Sequence, residues 1–307
     1  MRKLITVSSI VSLFAIAANA NELNSSSAKS GTSSGIVGHF GLSNGLNYAH
    51  DNKTGDAADI WFGGFDGSIT LPVLQQDLLV LDISARYDNM NGDANFGSDD
   101  NIDEIPRYEG NFGAHYLRSL NEDTRLGVFG GYGLTVPQDE DMADAYDVLT
   151  FGLEAQHFIS ENLMAYGQLG WGEKLRDGQD SDEAFNGGPV ARLGVSYFAT
   201  KTSALTLDLE VAGTSKFVDE GDDGRFYGAT LSYQQLVAQD LPLYLTCFGR
   251  YDLIDGTDDG TVEEWQLGFG LRYFFGAGSP QDAARKGLSI GTPRLPTRAS
   301  AWTEYLD

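Results

Sequence analysis

The sequence predicts an all-β chain, an antiparallel transmembrane β-barrel of twelve strands occupying residues 34–276. Three observations predict it. Segments of alternating apolar and polar residues recur through that stretch, one parity of each segment is almost free of charge, and aromatic residues gather near both ends of that parity. Successive side chains of a strand point to opposite faces, so alternation at period two marks a sheet with different surroundings on its two sides. A Lys or Arg facing lipid at the bilayer midplane costs roughly 2–4 kcal/mol, which identifies the charge-free parity as the lipid face.

The chain opens with an address. Met1-Arg2-Lys3 is cationic, Leu4 to Ala18 is mostly apolar, and Ala18-Asn19-Ala20 supplies the small residues that signal peptidase requires. Residues 1–20 are therefore expected to be a cleavable signal peptide, with Asn21 as the mature N-terminus, and residues 21–33, rich in Ser, Asn and Gly, a flexible leader. The apolar run is shorter than the roughly 20 residues that span a bilayer as a helix, and no later run approaches that length. A helical membrane protein is excluded. A barrel escapes the exclusion because only alternate residues of each strand meet lipid. The single cysteine, Cys247, rules out an internal disulfide framework. Losing Arg2 and Lys3 takes the net charge from -24 to -26, which argues against nucleic acid as a partner and for cations.

The strands follow in order. The first points Ile36, Phe40 and Leu42 to lipid and His39 and Ser43 inward; the second sets Trp61, Phe65, Ile69 and Leu71 against Phe62, Asp66, Ser68 and Thr70. In the third, Leu79, Leu81, Ile83, Ala85 and Tyr87 interleave with Val80, Asp82, Ser84 and Arg86. The fourth opposes Tyr108, Phe112, Ala114 and Tyr116 to Arg107, Glu109, Asn111 and His115. The fifth carries Leu126, Val128, Tyr132 and Leu134 among several glycines, and the sixth sets Leu149, Phe151, Leu153 and Ala155 against Thr150, Glu154 and Gln156. The seventh, eighth and ninth present Leu163 to Trp171, Ala191 to Tyr197 and Leu205 to Val211, with Tyr166, Gln168, Arg192, Ser196, Asp208 and Glu210 behind them. The tenth and eleventh alternate from Tyr227 to Tyr233 and from Leu243 to Tyr251. The twelfth has the cleanest pattern: Trp265, Leu267, Phe269, Leu271, Tyr273 and Phe275 alternate with Glu264, Gln266, Gly268, Gly270, Arg272 and Phe274.

Tyr48, Trp61, Tyr87, Tyr108, Trp171, Tyr227, Tyr251 and Trp265 lie near one end of their strands, and Tyr116, Tyr197, Tyr233, Tyr273 and Phe275 near the other. Amphipathic rings settle at the two membrane interfaces, so two belts are expected. Connections after even-numbered strands are short. Those after odd-numbered strands are longer and acidic, as in Asp88 to Glu104, Pro137 to Asp147 and Asp252 to Thr261. Short periplasmic turns and long extracellular loops are the expected arrangement.

On these features the chain resembles the porin-like outer-membrane β-barrel proteins of Gram-negative bacteria, from about Ser34 to Phe275. The most specific element is Leu267-Gly268-Phe269-Gly270-Leu271-Arg272-Tyr273-Phe274-Phe275, which looks like the aromatic-ended signal read by the barrel-assembly machinery. The resemblance implies the cell outer membrane as location, outer-membrane lipid and lipopolysaccharide as surroundings, and that machinery as a partner during biogenesis. The chain departs from the pattern by continuing from Gly276 to Asp307.

The inward parity supplies the candidate pore-lining residues: Asp66, Asp82, Arg86, Glu109, His115, Glu154, Arg192, Asp208, Glu210, Arg250, Glu264 and Arg272. About eight strands leave a filled interior and sixteen an aqueous channel, so in twelve the inward side chains decide between a narrow pore and a plug. The long loops carry acidic clusters such as Asp99-Asp100-Asn101-Ile102-Asp103-Glu104 and Asp139-Glu140-Asp141, which would attract divalent cations. None has full calcium-loop spacing, Gln266 standing where the loop from Asp255 needs its Glu, so no metal site is assigned. His39 and His115 face inward, yet no Ser near them has hydrolase context, and no catalytic residue or cofactor is expected.

Residues 277–307 are more basic than the barrel, with Arg285, Lys286, Arg294 and Arg298, and contain Pro280, Pro293 and Pro296. Strand parity places this tail on the periplasmic side, and its composition favours disorder over peptidoglycan contact or a return into the acidic lumen. The expected function is a passive, cation-leaning pore for small solutes. The alternatives are a closed structural or surface-interaction barrel and an outer-membrane enzyme acting on envelope lipid.

Overall fold

The structure, a computed structural model, describes residues 35–52, 55, 57–91, 105–136, 145–175, 185–214, 223–238, 240–256 and 261–299. The expected signal peptide, the leader and most of the acidic loops lie outside them. Twelve strands are present: β1 (Val37–Asp51), β2 (Ala57–Pro72), β3 (Asp77–Asn91), β4 (Ile105–Ser119), β5 (Thr124–Val136), β6 (Tyr146–Ser160), β7 (Leu163–Lys174), β8 (Gly187–Thr200), β9 (Ser203–Thr214), β10 (Gly224–Ala238), β11 (Leu241–Asp255) and β12 (Thr261–Phe275). Each pairs antiparallel with its sequence neighbours, and β1 pairs with β12, so the sheet closes as a barrel. Closure removes the row of unpaired N–H and C=O groups that an edge strand would expose to hydrocarbon.

The period-two reading gives the correct facing. Leu267, at 73 % exposure, and Leu209, at 46 %, point outward, while Asp208 and Gln266 beside them are buried inside. Register converts that alternation into horizontal bands. Tyr48, Trp265 and Tyr251 stand side by side on β1, β12 and β11, the last two with ring centroids 4.5 Å apart, and Phe40 and Tyr273 pair at the opposite end. The lipid face thus carries aliphatic residues between two aromatic rows.

Three buried acidic residues read as loop from the sequence belong to strands. Asp88, Asp147 and Asp252 lie in β3, β6 and β11 and are buried. Asp88 stands opposite Arg107 in the β3–β4 register, and its Oδ2 accepts a hydrogen bond of 3.1 Å from Arg107 Nε. Asp252 is paired with Arg250 at 2.7 Å. Carboxylates satisfied by neighbouring wall side chains let the strands continue where isolated acidic residues look like loop.

The segment after β12 corrects the expectation of a disordered periplasmic tail. It is ordered through Ala299 and lies inside the barrel. Helix α1 (Pro280–Arg285) is capped by the Ser279 hydroxyl, which accepts from Asp282 N, and has proline in its first turn, where a missing N–H is harmless. Its two buried alanines face opposite walls: Ala284 packs with Phe158, Met164, Phe198 and Ala204, and Ala283 with Val37, Tyr244 and Phe274. Helix α2 (Leu295–Ala299) lies deeper, toward the ends of the strands that carry the long connections. Composition judges a segment by its own apolar content, whereas this one is ordered by the wall around it.

If the facing is right, an arginine in place of outward Leu209 at mid-strand will lower stability in lipid vesicles by about 2–4 kcal/mol. Thr206→Asn, inward on the same strand, will change it far less; equal losses in urea unfolding from vesicles would show that the assigned faces of β9 are wrong.

Candidate functional site

All twelve candidate residues face the lumen, where they form four connected groups. In the first, His115 bridges two walls: its Nε2 lies 2.7 Å from Asp82 and its Nδ1 2.9 Å from Glu154. Gln168 donates to the same Glu154 oxygen at 2.9 Å. In the second, Arg192 forks onto Asp208, with Nε 2.9 Å from Oδ1 and Nη2 2.7 Å from Oδ2, and approaches Glu210 at 3.6 Å. The Tyr166 hydroxyl donates to Asp208 from the next wall position. A buried bidentate pair of this kind holds geometry well, because a planar guanidinium matches a carboxylate.

The third group joins Asp66, His39, Ser68 and Arg272. Ser68 Oγ lies 3.0 Å from His39 Nδ1, His39 Nε2 lies 2.7 Å from Asp66, and Arg272 donates to the same Asp66 oxygen at 2.8 Å. A serine, histidine and aspartate within hydrogen-bonding reach is the arrangement a nucleophilic hydrolase needs. Two further features of this group bear on that chemistry. Asp66 is shared with a guanidinium that competes for its charge, and Ser68 lies between β1 and β3, opposite His39 and Asp82, where ladder pairing commits the backbone N–H groups an oxyanion hole would use.

The fourth group is the largest and contains residues that sequence reasoning left out. Arg86 pairs with Asp88 and donates to Gln266 at 2.8 Å, while Glu264 accepts from Asn47 at 2.8 Å and from Gln266 at 3.1 Å. Into this group the tail inserts Arg298. Its Nε donates to Asp252 at 3.0 Å, its Nη1 to Glu109 at 3.3 Å and its Nη2 to Glu264 at 2.6 Å. Asp88, Glu109, Asp252 and Glu264 face Arg86, Arg107 and Arg250 from the wall, Arg250 also approaches Glu210 of the second group at 3.8 Å, and Arg298 adds a further positive charge. Arg298 is 4 % exposed and both Asp252 and Glu264 are 0 % exposed, so an imbalance here would be a desolvated charge, which is expensive.

The rest of the tail is held just as specifically. Arg125 donates to the carbonyl of Ala284 at 3.1 Å, Thr70 to Gly287 at 3.0 Å, Gln168 and Arg192 to Gly291 at 2.9 and 3.0 Å, and Thr135 to Thr297 at 2.9 Å. The Glu210 carboxylate accepts from the Leu295 backbone N–H at 3.0 Å. The wall is cut to admit this backbone: a Cβ on Gly133 would lie 1.9 Å from Thr297 Oγ1, and one on Gly131 2.9 Å from Thr292 Cγ2. Gly131 and Gly133 of β5 are therefore a signal for the tail, legible once its path is known.

The tail does not fill the bore. A cavity of about 370 Å³ remains beside it, bounded by His39, Ser43, Asp66 and Arg86 on one side and by Thr230, Thr246 and Arg250 on another. Among the described residues no group of three or more His, Cys, Asp or Glu could hold a metal ion. The clusters at 99–104 and 139–141 lie outside the described residues.

No protein-family model and no curated protein matches the chain. Among solved structures, an outer-membrane channel from Pseudomonas putida F1 is similar with a TM-score of 0.56 at 13% identity, covering 78% of this chain and 95% of that one. The translocator domain of the autotransporter NalP from Neisseria meningitidis gives 0.48 at 11% identity, covering 87% and 97%, and the KdgM porin 0.39 at 11% identity, covering 75% and 98%. At such identities the likeness is one of fold: this chain has the closed antiparallel barrel seen in outer-membrane proteins.

Proposed function

We propose that the protein is an outer-membrane channel for small hydrophilic solutes, narrowed by its own C-terminal segment. The observation that carries the reading is the charged lumen with a cavity of about 370 Å³ left open beside the tail. Filling a bore with apolar side chains would avoid the desolvation cost of so many buried charges, so a wall of Asp, Glu and Arg around residual space favours water and polar solutes. The shared fold with an outer-membrane channel supports the same reading at the level of architecture.

The cation preference is assigned to the mouth. Inside, Asp66, Asp82, Asp208, Asp252 and Glu264 each have a basic or histidine partner within 3.0 Å, so the bore itself is close to balanced. The unbalanced carboxylates belong to the acidic segments between strands, which the reading places on the extracellular side. Exposed charge of that kind acts over a screening length of about 10 Å at 0.1 M salt and about 3 Å at 1 M.

A second reading, a closed structural barrel, is favoured by one observation: α1 packs against two opposite walls at the short-turn end. No enzymatic role is proposed. Planar-bilayer recordings of the refolded full chain separate the readings. The channel reading expects discrete conductance steps, with reversal potentials showing cation preference at about 0.1 M KCl that weakens near 1 M. Absence of steps from folded protein would favour the closed barrel, and anion preference at low salt would refute the assignment to the acidic mouth.

A further inference from the structure

Phe275, the last residue of β12, pairs with Gly38 at the same end of the barrel as the short turns. From there the described tail advances steadily along the bore. Gln281 donates to the backbone carbonyl of Glu161 at 2.6 Å and Arg285 to Asp123 at 2.7 Å, both in short turns. Gly291 is held at mid-wall by Gln168 and Arg192, and Thr297 bonds Thr135, one residue from the opposite end of β5. Each step is fixed by a different wall strand, so the direction does not rest on one contact.

We infer that Glu109, Asp252 and Glu264 form a guanidinium site which Arg298 occupies as a latch, holding the described tail threaded from the short-turn end toward the long-connection end of the bore. The inference rests on the channel reading only for its effect on conductance. Each guanidinium nitrogen serves a different carboxylate, on β11, β4 and β12, so one side chain ties three wall positions to the tail. A lysine offers a compact ammonium and cannot reproduce this fork. Glu264 and Asp252 lie within about four residues of their strand ends, about 13 Å of strand at roughly 3.3 Å per residue.

The threading is tested by mild oxidation of the folded Gly131→Cys/Thr292→Cys protein in a Cys247→Ser background, since a Cβ on Gly131 would lie 3.0 Å from Thr292 Cβ. An intrachain disulfide is expected. Two thiols that stay free would overturn the threading, and this readout does not depend on conductance.

The latch is tested on the full chain in planar bilayers. Arg298→Ala is expected to raise conductance severalfold, and millimolar ethylguanidinium to lower it again, while equimolar NaCl does not and Arg298→Lys stays closer to Arg298→Ala than to the native chain. Unchanged conductance in Arg298→Ala, or no specific effect of ethylguanidinium, would overturn the latch. If neither the native chain nor the variant conducts, the channel reading fails, and ethylguanidinium must then raise the melting temperature of Arg298→Ala in detergent for the guanidinium site to stand.

Discussion

In hydrocarbon no water is available to an unpaired backbone N–H or C=O, and each one left open costs several kcal/mol. A sheet crosses a bilayer only by closing on itself, and nearly everything in this chain follows from that constraint. Closure gives every strand one face toward lipid and one toward the bore, so the apolar residues must occupy alternate positions. The pairing of β1 with β12 completes the ladder, and the lateral alignment of Tyr48, Trp265 and Tyr251 is a consequence of its register.

Closure also creates an interior that has to be filled or hydrated. In this barrel the inward side chains leave space unfilled, and the sequence lines that space with charge instead of bulk. Charges withdrawn from bulk water are tolerable only when paired and hydrogen-bonded. Arg192 with Asp208, Arg272 with Asp66 and His115 with Asp82 and Glu154 meet that requirement within the wall. The group around Glu264 meets it only with help from the tail, where Arg298 pairs with Glu109, Asp252 and Glu264. The tail is thus part of the electrostatic closure of the lumen, as β12 is part of the hydrogen-bond closure of the sheet.

The strands and their facing were legible because period two is a local property, and Asp66, Arg192 and Glu264 could be placed inward from their immediate neighbours alone. Strand ends were less legible. Asp88 and Asp252 resemble loop residues until Arg107 and Arg298 are brought beside them, and Arg298 is separated from Glu109 by 189 positions. The tail was misread for the same reason: its prolines and basic residues describe a segment that cannot make a core by itself, and its order comes from carbonyls met by Arg125, Thr70 and Thr135. Gly131 and Gly133 of β5 mark the tail's path, but a glycine in a strand does not say what passes over it.

That the tail lies within the barrel is the claim on which the account turns, and a cross-link measures it most directly. A Cβ on Gly133 would lie 2.9 Å from Thr297 Cβ, so cysteines at these two positions need only a small adjustment to reach disulfide distance. In a Cys247→Ser background, mild oxidation of the folded Gly133→Cys/Thr297→Cys protein should consume both thiols within one chain and shift its mobility on a non-reducing gel. Two thiols that stay free and react fully with a small maleimide would contradict the account and place the tail outside the lumen.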